Sequence, residues 1–182
     1  MSGPEPLEPA NAADPSVEVQ LAIYEDARDF AGIFARSWEA AYRGLLPDAY
    51  INERNAARRE QFERTLSDEN RDVYALRIGG ANVGAMKLAP PADGDTDPAD
   101  REIYYLYVHP DSFGRGAGTA VIRYAAEKAR AEGAERISVW ALKGNERALR
   151  FYRNRGFAPD GRSKTADRGG VAAESVRLIL TL

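Results

Sequence analysis

One segment constrains the fold more than any other: an apolar run, three closely spaced glycines and a helical pattern follow one another within residues 102–133. The run EIYYLYV is rich in aromatic and β-branched residues, which predicts a strand. Gly114, Gly116 and Gly118 stand at every second position, and apolar residues at helical spacing then continue to a stop near Gly133. The next strand-like run, RISVWAL, completes a strand–helix–strand passage and predicts two parallel neighbouring strands.

The remaining patterns add further strands and helices. Alternation predicts a strand from Val17 to Leu21, and the runs DVYALRI and VGAMKLA predict two antiparallel strands joined by a glycine turn. Helical patterns precede Gly44 and cover residues 55–66. A helix from Glu146 to Arg155, followed by strands near Phe157 and at VAAESVRLILTL, predicts a second passage with parallel neighbours. These elements predict an α/β (α+β) domain, a mixed sheet flanked by helices.

Composition excludes several classes of site and partner. The 182 residues fit one domain, residues 17–182, preceded by a proline-rich stretch, residues 1–16, that is typical of a flexible tail. The chain has no cysteine, which excludes disulfides and cysteine zinc sites, and its single histidine makes a metal site unexpected. A net charge of −3 lacks the basic footprint of a nucleic-acid binder. Without a membrane-spanning run or a signal peptide, a cytoplasmic location is expected.

The glycines predict either a tight turn or a site for an anion. A backbone that leaves a strand and enters a helix presents free N–H groups, and glycines let a phosphate approach them. A Walker loop would need a lysine after Gly118, where Thr119 and Ala120 stand instead. A dinucleotide fingerprint beginning at Gly114 would need a glycine at position 119. Neither nucleotide motif fits, and the glycines alone leave the choice open.

The segment resembles the acyl-coenzyme A loop of the GNAT (GCN5-related) N-acetyltransferase superfamily, Gln/Arg-x-x-Gly-x-Gly/Ala. The matching residues run from Phe113, which departs from the pattern, to Gly118. A second signature of the family is matched by Asn145-x-x-Ala-x-x-Phe-Tyr152-x-x-x-Gly-Phe157, one strand and one helix downstream. The resemblance implies a single domain with a mostly antiparallel sheet and a splayed parallel strand pair.

The resemblance also implies how acetyl-coenzyme A is bound. Main-chain groups of Leu106, Tyr107 and Val108 are expected to pair with the pantetheine arm, in the manner of an added strand. The pyrophosphate is expected at the glycine loop, where Arg115 adds charge. Asn145 is expected to contact pantetheine besides capping its helix. The complete set implied for the cofactor is Leu106, Tyr107, Val108, Gly114, Arg115, Gly116, Ala117, Gly118, Thr119 and Asn145.

Two catalytic residues and an acceptor pocket follow from the same comparison. Tyr152 corresponds to the family's acid that protonates the leaving thiolate, although a core tyrosine is the alternative. Glu102 stands where histone-type members have a general base, although a solvent-facing strand residue is the alternative. Candidates for the acceptor pocket are Trp38, Tyr42, Tyr104 and Trp140, although Trp38 and Tyr42, four positions apart on one helix, are more typical of a core. The acidic loop between residues 93 and 100 could attract a cationic amine, although such runs are usually only solvated.

These observations predict an N-acetyltransferase that moves an acetyl group from acetyl-coenzyme A to a primary amine of a small molecule, peptide or protein by direct attack. The alternatives are a non-catalytic acyl-coenzyme A-binding sensor and an unrelated nucleotide-binding domain. No metal is expected to take part, and a homodimer is compatible with the family.

Overall fold

The computed structural model describes residues 17–69 and 71–182. The predicted tail, residues 1–16, lies outside this part of the chain. The described residues form seven strands: β1 (Val17–Leu21), β2 (Val73–Ile78), β3 (Ala81–Ala89), β4 (Arg101–Val108), β5 (Arg136–Leu142), β6 (Ala158–Asp167) and β7 (Ala172–Thr181). They also form five α-helices: α1 (Ala27–Tyr42), α2 (Asp48–Ala56), α3 (Arg58–Leu66), α4 (Ala117–Ala131) and α5 (Glu146–Arg153).

The strands build one mixed sheet in the order β1-β2-β3-β4-β5-β7-β6. Within the described residues only β4 and β5 are parallel, and every other neighbouring pair is antiparallel. The β2–β3 hairpin turns at Gly79 and Gly80, which both have positive φ (57° and 79°), a conformation that favours glycine. The predicted fold class, a mostly antiparallel sheet with one parallel pair and flanking helices, is confirmed.

The second predicted pair of parallel neighbours is wrong. Strand β7 lies between β5 and β6 and is antiparallel to both. The burial pattern explains this order, because β7 has buried residues such as Ala173 and Leu178 to place inside the sheet. All ten residues of β6 are exposed, which suits a strand at the sheet edge.

Helices cover both faces of the sheet because the central strands alternate two sets of apolar residues. Tyr74 and Leu76 of β2 pack with α4 on one face, whereas Val73 and Ala75 pack with α1 and α3 on the other. Two separate core layers result, and the sheet lies between them. In the described residues, no helix combines the length and apolar character that crossing a bilayer requires.

The parallel pair β4–β5 separates partway along its length. The two strands are paired at only three positions, from Arg101↔Ile137 to Ile103↔Val139. Just beyond, β4 is irregular: Leu88 of β3 pairs with Ile103 while Lys87 pairs with Tyr105, which leaves Tyr104 as an extra residue. Such a bulge bends its strand, so β4 follows β3 away from β5 and a gap opens in the middle of the sheet.

Candidate active site

The gap between β4 and β5 continues into a cavity of about 530 Å³. Residues Tyr104–Val108 of β4 line one wall, and residues Val139–Leu142 of β5 line the opposite wall. The end of α1, the glycine loop and one side of α5 close the remaining sides. The cavity therefore lies where the main-chain groups of β4 and β5 are no longer hydrogen-bonded to each other.

Strand β4 directs free main-chain groups into this gap. His109 donates its N–H to the carbonyl of Val83 at 2.7 Å. In the antiparallel register, the main-chain N–H and C=O groups of residues 105, 107 and 109 therefore face β3. Because main-chain groups alternate along a strand, Leu106 and Val108 direct theirs away from β3, into the gap. The main chain of Tyr107 faces β3, and this residue contributes its side chain to the cavity instead.

Ser37 of α1 forms a hydrogen bond with one of these main-chain groups. Its buried hydroxyl donates to the Val108 carbonyl at 2.9 Å. The acceptor of Val108 is thereby satisfied, whereas its N–H has no hydrogen-bond partner among the described residues. At this position the gap presents a donor to a ligand.

The glycine loop combines a special backbone with open space. Gly114 and Gly116 have φ of +75° and +82°, which strains other residues, and no described atom lies within 4 Å of a β-carbon added at Gly114. Helix α4 begins at Ala117, and no described side chain caps it. The N–H groups of its first turn, through Thr119, thus face outward without helical partners. Arg115 is exposed and lies outside the cavity lining.

Two arginines of the α5 segment lie beside these amides, and the sequence analysis missed both. Arg155 donates to the Thr119 hydroxyl at 2.8 Å and lies 3.7 Å from the centre of the Phe151 ring. Arg147 lies 4.4 Å from the centre of the Phe113 ring. The spacing 147, 151, 155 repeats every fourth residue, so a helical-face reading of the second motif could have found them. A guanidinium thus reaches the loop at Phe113, where the family pattern has Gln or Arg.

Helix α5 also positions Asn145 and Tyr152. The Asn145 side chain caps the helix by accepting from Ala148 N–H at 3.2 Å, as predicted. Tyr152 is buried, lines the cavity and packs edge-on against Phe151 and Phe157, with ring centres 5.1 and 5.3 Å apart. Burial raises the pKa of the Tyr152 phenol well above its ordinary value, so the hydroxyl keeps its proton at neutral pH.

Glu102 lies in the sheet rather than at its edge. It belongs to the last paired positions of β4 and β5, is 5% exposed, and its Oε2 atom has no hydrogen-bond partner among the described residues. Burial, followed by the nearby Asp93 carboxylate, raises the pKa of the Glu102 carboxyl. Its side chain does not line the cavity. The carboxyl is therefore a stronger base than an exposed glutamate, but it has no direct contact with the cavity.

Three of the four acceptor-pocket candidates line the cavity: Tyr42, Tyr104 and Trp140. Trp38 does not, because it packs edge-on against Tyr42 in the core, with ring centres 5.0 Å apart. Tyr42 and Tyr107 join their hydroxyls at 3.0 Å across the end of the cavity. The acceptor side is consequently built from phenol and indole rings.

The acidic loop is held by arginines instead of being open to a cation. Arg177 is buried and binds Asp95 through two hydrogen bonds of 2.9 Å. Asp93 accepts from the Trp140 indole N–H at 2.8 Å and pairs with Arg177 at 3.5 Å. Asp100 pairs with Arg136 at 2.9 Å. Three of the loop's four carboxylates are thus paired, and the fourth, Asp97, accepts from the Ala99 N–H, which argues against a role in attracting cationic amines.

No cluster of three or more metal-ligating side chains occurs in residues 17–69 and 71–182. The charged side chains among the described lining residues are those of Arg147 and Arg155, and no carboxylate is among them. The arrangement can therefore bind an elongated anionic ligand: donors and positive charge at the glycine loop, and a strand edge leading inward.

Comparison with known proteins agrees with this geometry. The model of the Acetyltransferase (GNAT) family matches residues 36–157. Uncharacterized N-acetyltransferase MJ1207 of Methanocaldococcus jannaschii is 28% identical over 134 residues, 73% of this chain and 57% of the relative. Uncharacterized N-acetyltransferase Rv2669 of Mycobacterium tuberculosis is 30% identical over 138 residues, 75% of this chain and 85% of the relative. The chain thus spans little more than half the length of the first relative.

Among solved structures, the PaiA N-acetyltransferase of Thermoplasma acidophilum in complex with coenzyme A has a TM-score of 0.72 and 18% identity. The alignment covers 92% of this chain and 99% of that protein, which shows a shared fold. Together with the family match, it confirms the resemblance drawn from the two motifs and the acyltransferase class that the resemblance implied. The chain belongs to the acetyltransferase (GNAT) family.

Proposed function

We propose that the protein transfers an acetyl group from acetyl-coenzyme A to a primary amine by direct attack of the amine. The observation that carries the proposal is the gap between β4 and β5, with the free Val108 N–H inside it and the free α4 amides at its mouth. An extended ligand with a phosphate end and amide groups along its arm complements both features. A cytoplasmic location and a homodimer stay predictions.

The chain's own groups would bind the cofactor at three places. The pyrophosphate would accept hydrogen bonds from the amides of Gly116 to Thr119, in the field of the α4 dipole. Arg155 and Arg147, and the exposed Arg115, would add positive charge there. The pantetheine amides would pair with the outward main-chain groups of Leu106 and Val108, with Asn145 close to the β5 side. Gly114, where an added β-carbon would meet no described atom, would leave the approach open.

Acetyl-coenzyme A supplies an acetyl group already activated as a thioester. The Val108 N–H would donate to the carbonyl oxygen as negative charge develops on it. Tyr152, protonated at neutral pH, would give its proton to the departing sulfur. Glu102 would take the proton that the amine loses, through a relay across the cavity wall, because its carboxyl does not line the cavity. Tyr42, Tyr104 and Trp140 would surround the acceptor.

Two measurements test this proposal. Calorimetry should detect binding of acetyl-coenzyme A but not of ATP; binding of ATP alone would contradict the proposal. A panel of amines, amino acids and peptides should then yield free thiol and acetylated product. Cofactor binding without thiol release on any acceptor would support the acyl-coenzyme A sensor instead.

A further inference from the structure

Arg58, at the start of α3, is a buried cation without an anionic partner in residues 17–69 and 71–182. Its side chain is 5% exposed, and its Cζ atom lies 4.1 Å from the centre of the Trp38 ring and 5.5 Å from that of Phe34. Its Nε and Nη2 atoms are enclosed and donate to no described atom. The other charged or polar groups that act on it are the phenols of Tyr107, Tyr42 and Tyr50 and the cation of Arg54. A buried guanidinium is normally paired, so its isolation calls for an explanation.

Two further donors beside Arg58 also have no partner in the described residues. The indole N–H of Trp38, on which the guanidinium stacks, is enclosed and lies near the Tyr107 hydroxyl, but it makes no hydrogen bond of normal geometry. The Tyr105 hydroxyl is enclosed and has no hydrogen-bond partner in the described residues either. Burial raises its pKa, and the nearby Arg58 cation only partly opposes that shift. Buried donors of this kind are almost always satisfied in proteins. The cluster therefore combines a positive charge with donors that make no regular hydrogen bond in the described residues.

This cluster lies directly behind the acceptor side of the cavity. Trp38 contacts Tyr42 edge-on at 5.0 Å, and the phenols of Tyr42 and Tyr107, which act on the Arg58 charge, both line the cavity. Their two hydroxyls share one hydrogen bond of 3.0 Å, which leaves one of the two O–H groups free to donate. Trp38 directly follows Ser37, which binds the Val108 carbonyl. The cluster therefore adjoins side chains that line the cavity on its acceptor side.

The charges nearby reinforce the positive field of Arg58. Among the described lining residues there is no carboxylate, and Asp93, Asp95 and Asp100 of the acidic loop are paired with Arg177 or Arg136. An acceptor with a second positive charge would therefore meet no lining carboxylate to neutralise it. An acceptor with a negative group would meet free donors and an unpaired cation.

We propose that the acceptor carries a carboxylate close to its amine, as an amino acid does, and that this carboxylate binds against the Tyr42–Tyr107 wall with the Arg58 guanidinium behind it. The inference rests on the proposed function, because it names the substrate class of the same cavity. The phenol O–H and the Arg58 charge hold the carboxylate, which leaves the neighbouring amine directed at the Val108 end of the gap. Arg58 acts here as a specificity residue and takes no part in the chemistry.

The first test compares matched acceptors with and without the carboxylate. Phenylalanine, its carboxamide and phenethylamine share one side chain, as do alanine, its carboxamide and ethylamine. In the wild-type protein, kcat/KM should be at least about tenfold higher for the amino acid than for its carboxamide or for the amine without a carboxylate. One charge-assisted hydrogen bond to the carboxylate accounts for a difference of this size. Arg58→Met should abolish this preference, Arg58→Lys should keep part of it, and neither should change the KM for acetyl-coenzyme A.

The control is the adjacent Arg59, which is exposed and pairs with Glu63. Arg59→Met should leave the preference for the amino acid unchanged. Thermal unfolding checks that each variant folds, and Arg58→Lys keeps the test valid if Arg58→Met does not. Equal rates on all acceptors in the wild-type protein, or an unchanged preference in Arg58→Met, would overturn the proposal.

A second test does not depend on turnover. The chain has two tryptophans, so Trp140→Phe leaves Trp38, stacked on Arg58, as the single indole reporter. Sodium propionate should then change the Trp38 emission in a saturable way, whereas sodium chloride and ethylammonium should not. Adding Arg58→Met should remove the response, and adding Arg59→Met should keep it. No response to propionate would overturn the carboxylate site even if amines are acetylated; a response without any acetylation would refute only the proposed function.

Discussion

Phe151 occupies the space that a side chain at Gly118 would need. A β-carbon built on Gly118 would lie 2.5 Å from one Phe151 ring carbon and 2.9 Å from another. The contact joins the first turn of α4 to α5, so the third loop glycine is required by helix packing, whereas the first two are required by their positive φ. The fold itself thus explains each of the three glycines, and the free amides are the result.

Gly118→Ala should destabilise the protein through this contact. The ring must shift to admit one methyl group, and overpacking of this kind typically costs about 1–3 kcal/mol. Gly32→Ala is the matched control, because Gly32 lies inside α1 with ordinary φ and no described atom within 4 Å of the added carbon. That change should raise stability by roughly 0.5–1 kcal/mol. Thermal unfolding measures both, and equal midpoints for the two variants would contradict the packing argument.

Arg155→Met should weaken the binding of acetyl-coenzyme A more than it slows the reaction. The guanidinium joins Thr119 at the α4 amides, and a charge-assisted hydrogen bond to a phosphate is worth about 1.5–3 kcal/mol. We therefore expect the KM for acetyl-coenzyme A to rise about tenfold or more while kcat changes little. Arg153→Met, on an exposed residue of the same segment, should leave both constants unchanged. If the KM for acetyl-coenzyme A is unchanged in Arg155→Met, Arg155 does not bind the pyrophosphate.

The sequence alone predicted the strands and the parallel β4–β5 pair, because these depend on local periodicity and on the order of elements, whereas the gap was implied only by the family resemblance. The helical pattern over residues 55–66 covers α3 and the end of α2, so most of α2 was not predicted. It did not predict the place of β7. Both β6 and β7 follow β5 and α5 in the chain. Only the contrast between residues such as exposed Ser163 of β6 and buried Leu178 of β7 decides which of the two strands pairs with β5 inside the sheet. That contrast depends on partners far along the chain.

The site was predictable to the extent that it follows motifs. Tyr152 and Asn145 lie where the second signature puts them, in the cavity lining, because a helical motif fixes its own geometry. Arg58 lies in no motif, and a sequence cannot show that a surface-type residue is buried without a partner. Glu102 was expected to face the cavity or solvent, but the sheet encloses it.

Tyr152→Phe should lower kcat while leaving cofactor affinity and stability nearly unchanged. The ring contacts with Phe151 and Phe157 persist without the hydroxyl, and only the proton donor is lost. General acids contribute about a hundredfold or more to rate, which sets the expected loss. Because the raised pKa keeps Tyr152 protonated, the wild-type kcat should not fall as pH rises to about 10, the ordinary phenol value.

Tyr124→Phe is the control for that substitution. Tyr124 packs against Tyr74, with ring centres 5.3 Å apart, and does not line the cavity. The kcat of Tyr124→Phe should equal that of the wild-type protein. If Tyr152→Phe also keeps full turnover, Tyr152 belongs to the core alone and another group must protonate the sulfur.

Glu102→Gln should reveal both a catalytic and a stability role of the buried carboxyl. As a base, Glu102 must be ionised, so wild-type kcat/KM should fall as pH decreases through its raised pKa. The variant should lose about a hundredfold in kcat/KM at neutral pH together with this acidic limb. Glu127→Gln, on an exposed residue of α4, is the matched control and should keep the wild-type profile.

The same variant should be more stable than the wild-type protein at neutral pH. The raised pKa means that the folded state binds this proton more tightly than the unfolded chain. The resulting stability is complete below the unfolded pKa of about 4.3 and is lost as pH rises through the folded value. A neutral amide avoids that loss, so the gain in Tm should be larger at about pH 8 than at about pH 4. A Tm difference that does not change with pH would show that Glu102 is no more difficult to ionise in the folded protein than in the unfolded chain, and a base with a raised pKa would then have to be sought elsewhere.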